Sequence, residues 1–148
     1  MNIAISSRQR SRKVNPRRLR EITKALLMAL QIESADLGIV LVGARKMALL
    51  NETFLRHEGS TDVITFDYAG KVAGTALAGE IFICVDEAVS QAKRFQTTWQ
   101  SEMVRYIVHG VLHLLGHDDL RAKARQKMKR EENRRLRELS RRFALSKL

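Results

Sequence analysis

One run constrains this chain more than any other. From residue 99 to 115 the sequence is apolar on almost every side of a helix, with Met103, Val104, Tyr106, Ile107, Val108, Val111, Leu112, Leu114 and Leu115. A helix that is hydrophobic all round has no face to offer water and has to be buried. The other elements must therefore wrap around it. Thr97 with Gln100 fits a capping box at its start. The chain has 148 residues, 45% of them hydrophobic, enough to bury such a core as one domain spanning 1–148.

The same run carries chemistry. Three of the four histidines fall at its end, in His109, His113 and His117. His109 and His113 are one turn apart on one helical face, which is half of a transition-metal site. That spacing also suits two buried, hydrogen-bonded histidines, so the third ligand decides. On a continuing helix His117 would lie roughly 12 Å along the axis from His109, too far for one metal with bonds of about 2 Å. Gly116 resolves this, because glycine adopts the left-handed conformation that ends helices. The chain can turn back there, and at least one of His117, Asp118 and Asp119 can close the site.

Around this helix the pattern alternates. Asn2–Ser6 suits an edge strand. Asn15-Pro16 starts an amphipathic helix over 16–32, with Leu19, Ile22, Leu26 and Leu30 on one face. Leu37–Val42 is a short buried strand ending at Gly43. Residues 45–56 return to helix, with Met47, Leu50 and Phe54 inward. Asp62–Tyr68 and Gly79–Val85 are strands joined by a short loop from Gly70 to Gly74, which favours an antiparallel pair. A helix over 86–96 turns Ala88, Ala92 and Phe95 inward, and a last, very basic helix covers 121–143. The expected class is α+β: a small mixed, mostly parallel sheet of about four strands, about five helices, and a metal site at the end of the buried core helix.

Charge narrows the partner. There are 27 basic and 16 acidic residues, a formal net charge of +11. Seven basic residues and no acid lie in 8–20, and twelve basic residues against three acids lie in 121–148. Basic ends flanking a candidate metal centre suit a nucleic acid held by its phosphates. A membrane surface is the rival. The tail helix has only a sparse apolar stripe (Met128, Leu136, Leu139, Phe143), better suited to docking on its own domain. Cys84, the only cysteine, sits in an apolar run and suits a buried strand in a reducing compartment. With no bilayer-length apolar stretch and no secretory signal, a cytoplasmic protein is expected.

The run from His109 to Asp119 resembles the HGxLHLxGxDH signature of the YbeY family, metal-dependent endoribonucleases of rRNA maturation. The likeness extends to Leu50-Asn51 with Arg56, to Ser60 through Phe66, to Ala78-Gly79-Glu80-Ile81, to Gln91-Ala92 and to Glu102, over roughly residues 35–135. It implies a mixed sheet with surrounding helices, one zinc held by three side chains, and cleavage of single-stranded RNA in rRNA maturation and ribosome quality control, at the small ribosomal subunit. The signature's third ligand, a histidine, falls on Asp119 here. Two histidines with a carboxylate still suit zinc, and also iron(II); His117 or a water is the alternative. Ser60, Asp67 and Glu80 are milder departures.

The resemblance makes His109, His113 and Asp119 the metal ligands and Arg56 a catalytic cation that meets phosphate. A metal with three protein ligands leaves room for a water, whose pKa it lowers for phosphodiester hydrolysis. Helical zinc peptidases carry Glu directly after the first histidine; here that place is Gly110, which argues against peptide hydrolysis. Gly110 serves close packing or substrate approach. The alternative function is a non-catalytic RNA- or ribosome-binding factor with a structural or lost metal.

Overall fold

Period-two patterning builds the central sheet. In β2 (Ser34–Val42), Leu37, Ile39 and Leu41 join the main core on one face, while Val40 and Val42 join a smaller core on the other. β4 (Ala76–Cys84) divides likewise, with Ile81 and Ile83 on the first side and Phe82 and Cys84 on the second. With β1 (Asn2–Arg8) and β3 (Val63–Asp67) the strand order is β1-β2-β4-β3. The first three run parallel and β3 pairs antiparallel with β4, as the short connection implied. A computed structural model of the chain describes residues 1–56, 59, 61–69 and 76–148. The expected loop from Gly70 to Gly74, and His57 and Ser60, lie outside the described residues.

Five α-helices are described: α1 (Pro16–Ala29), α2 (Ala44–Leu50), α3 (Val85–Phe95), α4 (Trp99–Leu114) and α5 (Ala122–Arg142). The result is an α+β architecture with a mixed, mostly parallel four-stranded sheet. α4 is the buried helix its composition demanded, with Met103, Val104, Val108, Val111 and Leu112 at 0% exposure. Burying each such side chain contributes about 1.5–3 kcal/mol, so α4 anchors the core. Gly110 lets it approach β4 closely: a Cβ at that position would lie 2.9 Å from Cγ2 of Ile81. Close packing is therefore the role of this glycine.

Several boundaries differ from the expectation, for local reasons. α1 begins as expected, the Asn15 side chain accepting from the amides of Arg17 and Arg18. It ends before residue 32, because Gln31 takes a left-handed conformation (φ 59°) and the Ile32 amide bonds back to the Leu27 carbonyl. The apolar Ile32 completes a Schellman cap rather than another helical turn. The N-cap of α4 is Thr98, whose hydroxyl accepts from the Ser101 amide at 3.1 Å, not Thr97. The Thr97 hydroxyl instead donates to Glu102 at 2.8 Å.

Two aromatic residues expected inside lie outside. α2 gives way to a π-helical turn, Asn51–Leu55, whose extra residue shifts the phase of the face. Phe54 is therefore 59% exposed, its ring edge-on to Phe66 at 5.3 Å. Phe95, on the last residue of α3, is 60% exposed.

α5 docks through the predicted stripe: Met128, Leu136 and Leu139 are buried, and Phe143 is partly so. Its outer side carries Lys123, Lys127, Arg130, Arg134, Arg137 and Arg141, all exposed and alternating at four and three residues. That spacing aligns six cations along one helical face.

Candidate metal centre

The C-terminus of α4 is shaped by Gly116. The amide of Gly116 bonds to the His113 carbonyl and that of His117 to the Leu112 carbonyl, both at 3.0 Å, with Gly116 at φ +98°. This is a Schellman turn, and it sends the chain back along the helix. Of the three polar residues that follow, only Asp119 returns to the histidines. His117 stays outside the cluster, its pKa lowered by burial and by the nearby Lys127 ammonium. The Asp118 carboxylate is engaged locally, accepting from the Leu120 amide at 2.6 Å.

One ligand atom from each of His109, His113 and Asp119 lies within 4.8 Å of the others, a group able to hold a metal ion. Asp119 Oδ2 is 3.5 Å from His113 Nε2 and 4.0 Å from His109 Nε2. Ligands bound tetrahedrally at about 2.1 Å sit about 3.4 Å from one another, close to the two separations that Asp119 makes with the histidines. The two rings meet edge to face, with centroids 4.6 Å apart.

The far side of His109 is also held. Its Nδ1 lies 2.9 Å from Oε2 of Glu132 in α5, and Glu132 is 4% exposed. Arg105 donates to the other oxygen of Glu132 at 3.0 Å and to Asn133 Oδ1 at 2.8 Å. Burial pulls the His109 pKa down, but the Glu132 hydrogen bond and charge outweigh it and the net shift is upward. Burial pushes Glu132 up, yet hydrogen bonds from His109 and Arg105 bring it below the usual carboxylate value. A carboxylate on the second ring nitrogen fixes the tautomer and the aim of a metal-binding histidine. Neither Glu132 nor Arg105 was singled out from sequence. A signal existed: Glu132 falls four residues after Met128 and four before Leu136, an acid on the apolar stripe of a basic helix.

The cluster opens on a cleft of about 720 Å³ whose walls include Arg105, His109, Asp119, Arg125 and Lys129. Two cations of the tail helix, Arg125 and Lys129, thus line the same cleft as His109. Arg56 is exposed, in a left-handed conformation (φ 55°) that ends the π-helical turn, and is not among the residues lining this cleft.

Residues 4–140 match the family model described as Endoribonuclease YbeY. The chain belongs to this family. Family membership spans more of the chain than the motifs from residue 35 to 135 suggested. An endoribonuclease YbeY of Chlorobium phaeovibrioides is 34% identical over 120 residues, covering 79% of each chain. One of Salinibacter ruber is 30% identical over 129 residues, 83% of this chain and 82% of its own. The solution structure of a Thermotoga maritima protein matches 93% of this chain and 88% of that one, with a TM-score of 0.64 at 25% identity. No described helix is long and apolar enough to cross a membrane.

Proposed function

We propose that this chain is a metal-dependent endoribonuclease that cuts single-stranded RNA during rRNA maturation and ribosome quality control, acting in the cytoplasm on the small ribosomal subunit as a single domain. His109, His113 and Asp119 would hold the ion, zinc first and iron(II) as the alternative that a carboxylate admits. The observation that carries this is the convergence of two Nε2 atoms and one carboxylate oxygen within 4.8 Å, where the chain turns at Gly116. Membership of an endoribonuclease family supports RNA as the substrate.

A divalent ion held there supplies Lewis acidity, polarising a phosphoryl oxygen and lowering the pKa of water. The chain's residues do the rest. Glu132 keeps the His109 ring aimed, and buried contacts with Arg105 keep Glu132 in place. Arg125 and Lys129 bring positive charge to the cleft wall, where a phosphodiester needs it. Arg56 is the further catalytic cation, reaching the phosphate when RNA is bound.

The test uses purified protein and a single-stranded RNA. His113→Ala and Arg56→Ala are expected to lose cleavage while keeping the wild-type circular dichroism spectrum and melting temperature to within a few degrees. Full activity in both variants would overturn the proposal. Asp119, in place of a histidine, and the position of Arg56 outside the cleft lining favour a second reading, a non-catalytic RNA-binding factor. It predicts RNA binding that persists in chelator, with no cleavage.

A further inference from the structure

β1 and β2 lie side by side, parallel, and end together, with Arg8 opposite Val42. Beyond that point their chains part. The chain from β1 enters α1, whose Leu19, Ile22 and Leu26 join the main core. The chain from β2 enters α2, whose Met47 and Leu50 join the smaller core on the other face of the sheet. Where parallel strands part in this way, the carboxyl edge of an open sheet leaves a crevice in which ligands bind. Here the crevice is a pocket of about 540 Å³, walled by residues 8–11 after β1 and residues 43–46 after β2. It shares no lining residue with the cleft beside the metal cluster.

The two walls are held in place. Asp86, at the start of α3, accepts from the Ser11 hydroxyl with one oxygen and from the Ala44 amide at 2.7 Å with the other. It thereby ties the walls together. The Gln9 side chain accepts from the amides of Ser11 and Arg12, at 2.8 and 3.1 Å, and donates to the Arg12 carbonyl at 2.7 Å. On this frame stand Arg8 and Arg10 from one wall and Arg45 and Lys46 from the other, all exposed. Among the described residues none of these four cations has an ion-pair or hydrogen-bond partner for its side chain. They outnumber the one carboxylate of the pocket, whose two oxygens are already engaged. Cations gathered around a concavity concentrate anions there.

We infer that this pocket holds phosphate groups of an RNA strand, at a second place outside the metal cleft. Three of its four cations are arginines, whose planar fork meets phosphate oxygens in pairs. The pocket anchors the strand and takes no part in its hydrolysis. The inference takes RNA as the ligand from the nuclease reading, but binding is measurable without cleavage.

Single-stranded oligouridylate is titrated into the isotopically labelled, full-length protein in chelator, and the amide NMR signals are followed. Those of Ser11, Gly43 and Ala44 are expected to shift. Arg10→Gln and Arg45→Gln, one from each wall, are each expected to lower the logarithmic salt slope of binding by about 0.7, the share of one phosphate contact on a single strand. Lys24→Gln, the same loss of charge on the exposed side of α1, is expected to leave the slope unchanged. Uridine monophosphate, with its single phosphate, is expected to need at least about tenfold higher concentration to move the same amides. Unmoved amides, or slopes no more sensitive to Arg10→Gln and Arg45→Gln than to Lys24→Gln, would overturn the inference. Equal affinity for the mononucleotide would overturn the strand as the source of the phosphate. Cleavage is assayed on the same preparation after metal is restored. Inactive protein whose pocket amides shift refutes the nuclease reading and upholds the pocket; active protein whose pocket amides stay still refutes the pocket alone.

Discussion

Nδ1 of His109 and Oε2 of Glu132 lie 2.9 Å apart, joining the core helix to the basic tail helix at the edge of the metal cluster. The tail is thereby part of the centre and not an appendage to it. Glu132 also ties down Arg105, so one buried carboxylate orders a histidine and a cleft cation together.

Replacing this carboxylate is expected to be felt at the metal first. Glu132→Gln should weaken metal affinity about 10- to 100-fold, the usual cost of losing such a partner. Glu132→Ala should also destabilise the fold by about 2 kcal/mol, less than the full penalty for breaking a buried pair, because Arg105 and His109 keep 25% and 26% of their side chains exposed. Competition titration with a chromophoric chelator and thermal melts would separate the two effects. Wild-type affinity in both Glu132→Gln and Glu132→Ala would show that the hydrogen bond does not orient the ring.

Asp119 should set metal preference. Asp119→Asn is expected to lose most bound metal, since an amide is a poor ligand beside two imidazoles. Asp119→His should retain metal and favour zinc over iron(II), having exchanged a hard oxygen donor for nitrogen. Elemental analysis after dialysis against both ions reads this directly, and an unchanged zinc-to-iron ratio in Asp119→His would refute it.

Gly110→Ala should destabilise the protein by about 1–3 kcal/mol through overpacking, since the new methyl would meet Ile81 at 2.9 Å. Ile81→Ala added to it should cost less than in the wild type, because it removes the three side-chain carbons that the new methyl would meet. Denaturant melts of the two single variants and the double would show the coupling; strict additivity would mean that the contact is not the cause.

The outer face of α5 should govern the salt dependence of RNA binding. If its cations neutralise phosphates, affinity falls steeply with salt, and each of Arg130→Gln and Arg137→Gln lowers the logarithmic slope by about 1. Filter binding at several salt concentrations measures this, and a slope unaffected by both changes would assign the phosphates elsewhere.

What could be read from sequence were the features whose cause is local. The composition of 99–115 demanded burial, Gly116 marked the turn, and the period-two strands marked the sheet. That a polar residue after Gly116 could return to His109 and His113 followed from the turn, while the choice of Asp119 over His117 and Asp118 came from the family resemblance. The partnership of Glu132 with His109 spans 23 residues and depends on how α5 lies across α4. Phe54 and Phe95 were placed inside because apolar periodicity carries no sign of a π-helical turn or of a cleft rim. Gln31 ends α1 left-handed without the glycine that usually announces such a stop.

The tail helix looks two ways, cations outward and one hidden acid inward. Whatever pulls on its outer face, a polyanion above all, also strains or steadies the carboxylate beneath. Grip on the substrate and grip on the ion are then two ends of a single lever, and by thermodynamic reciprocity each reports on the other.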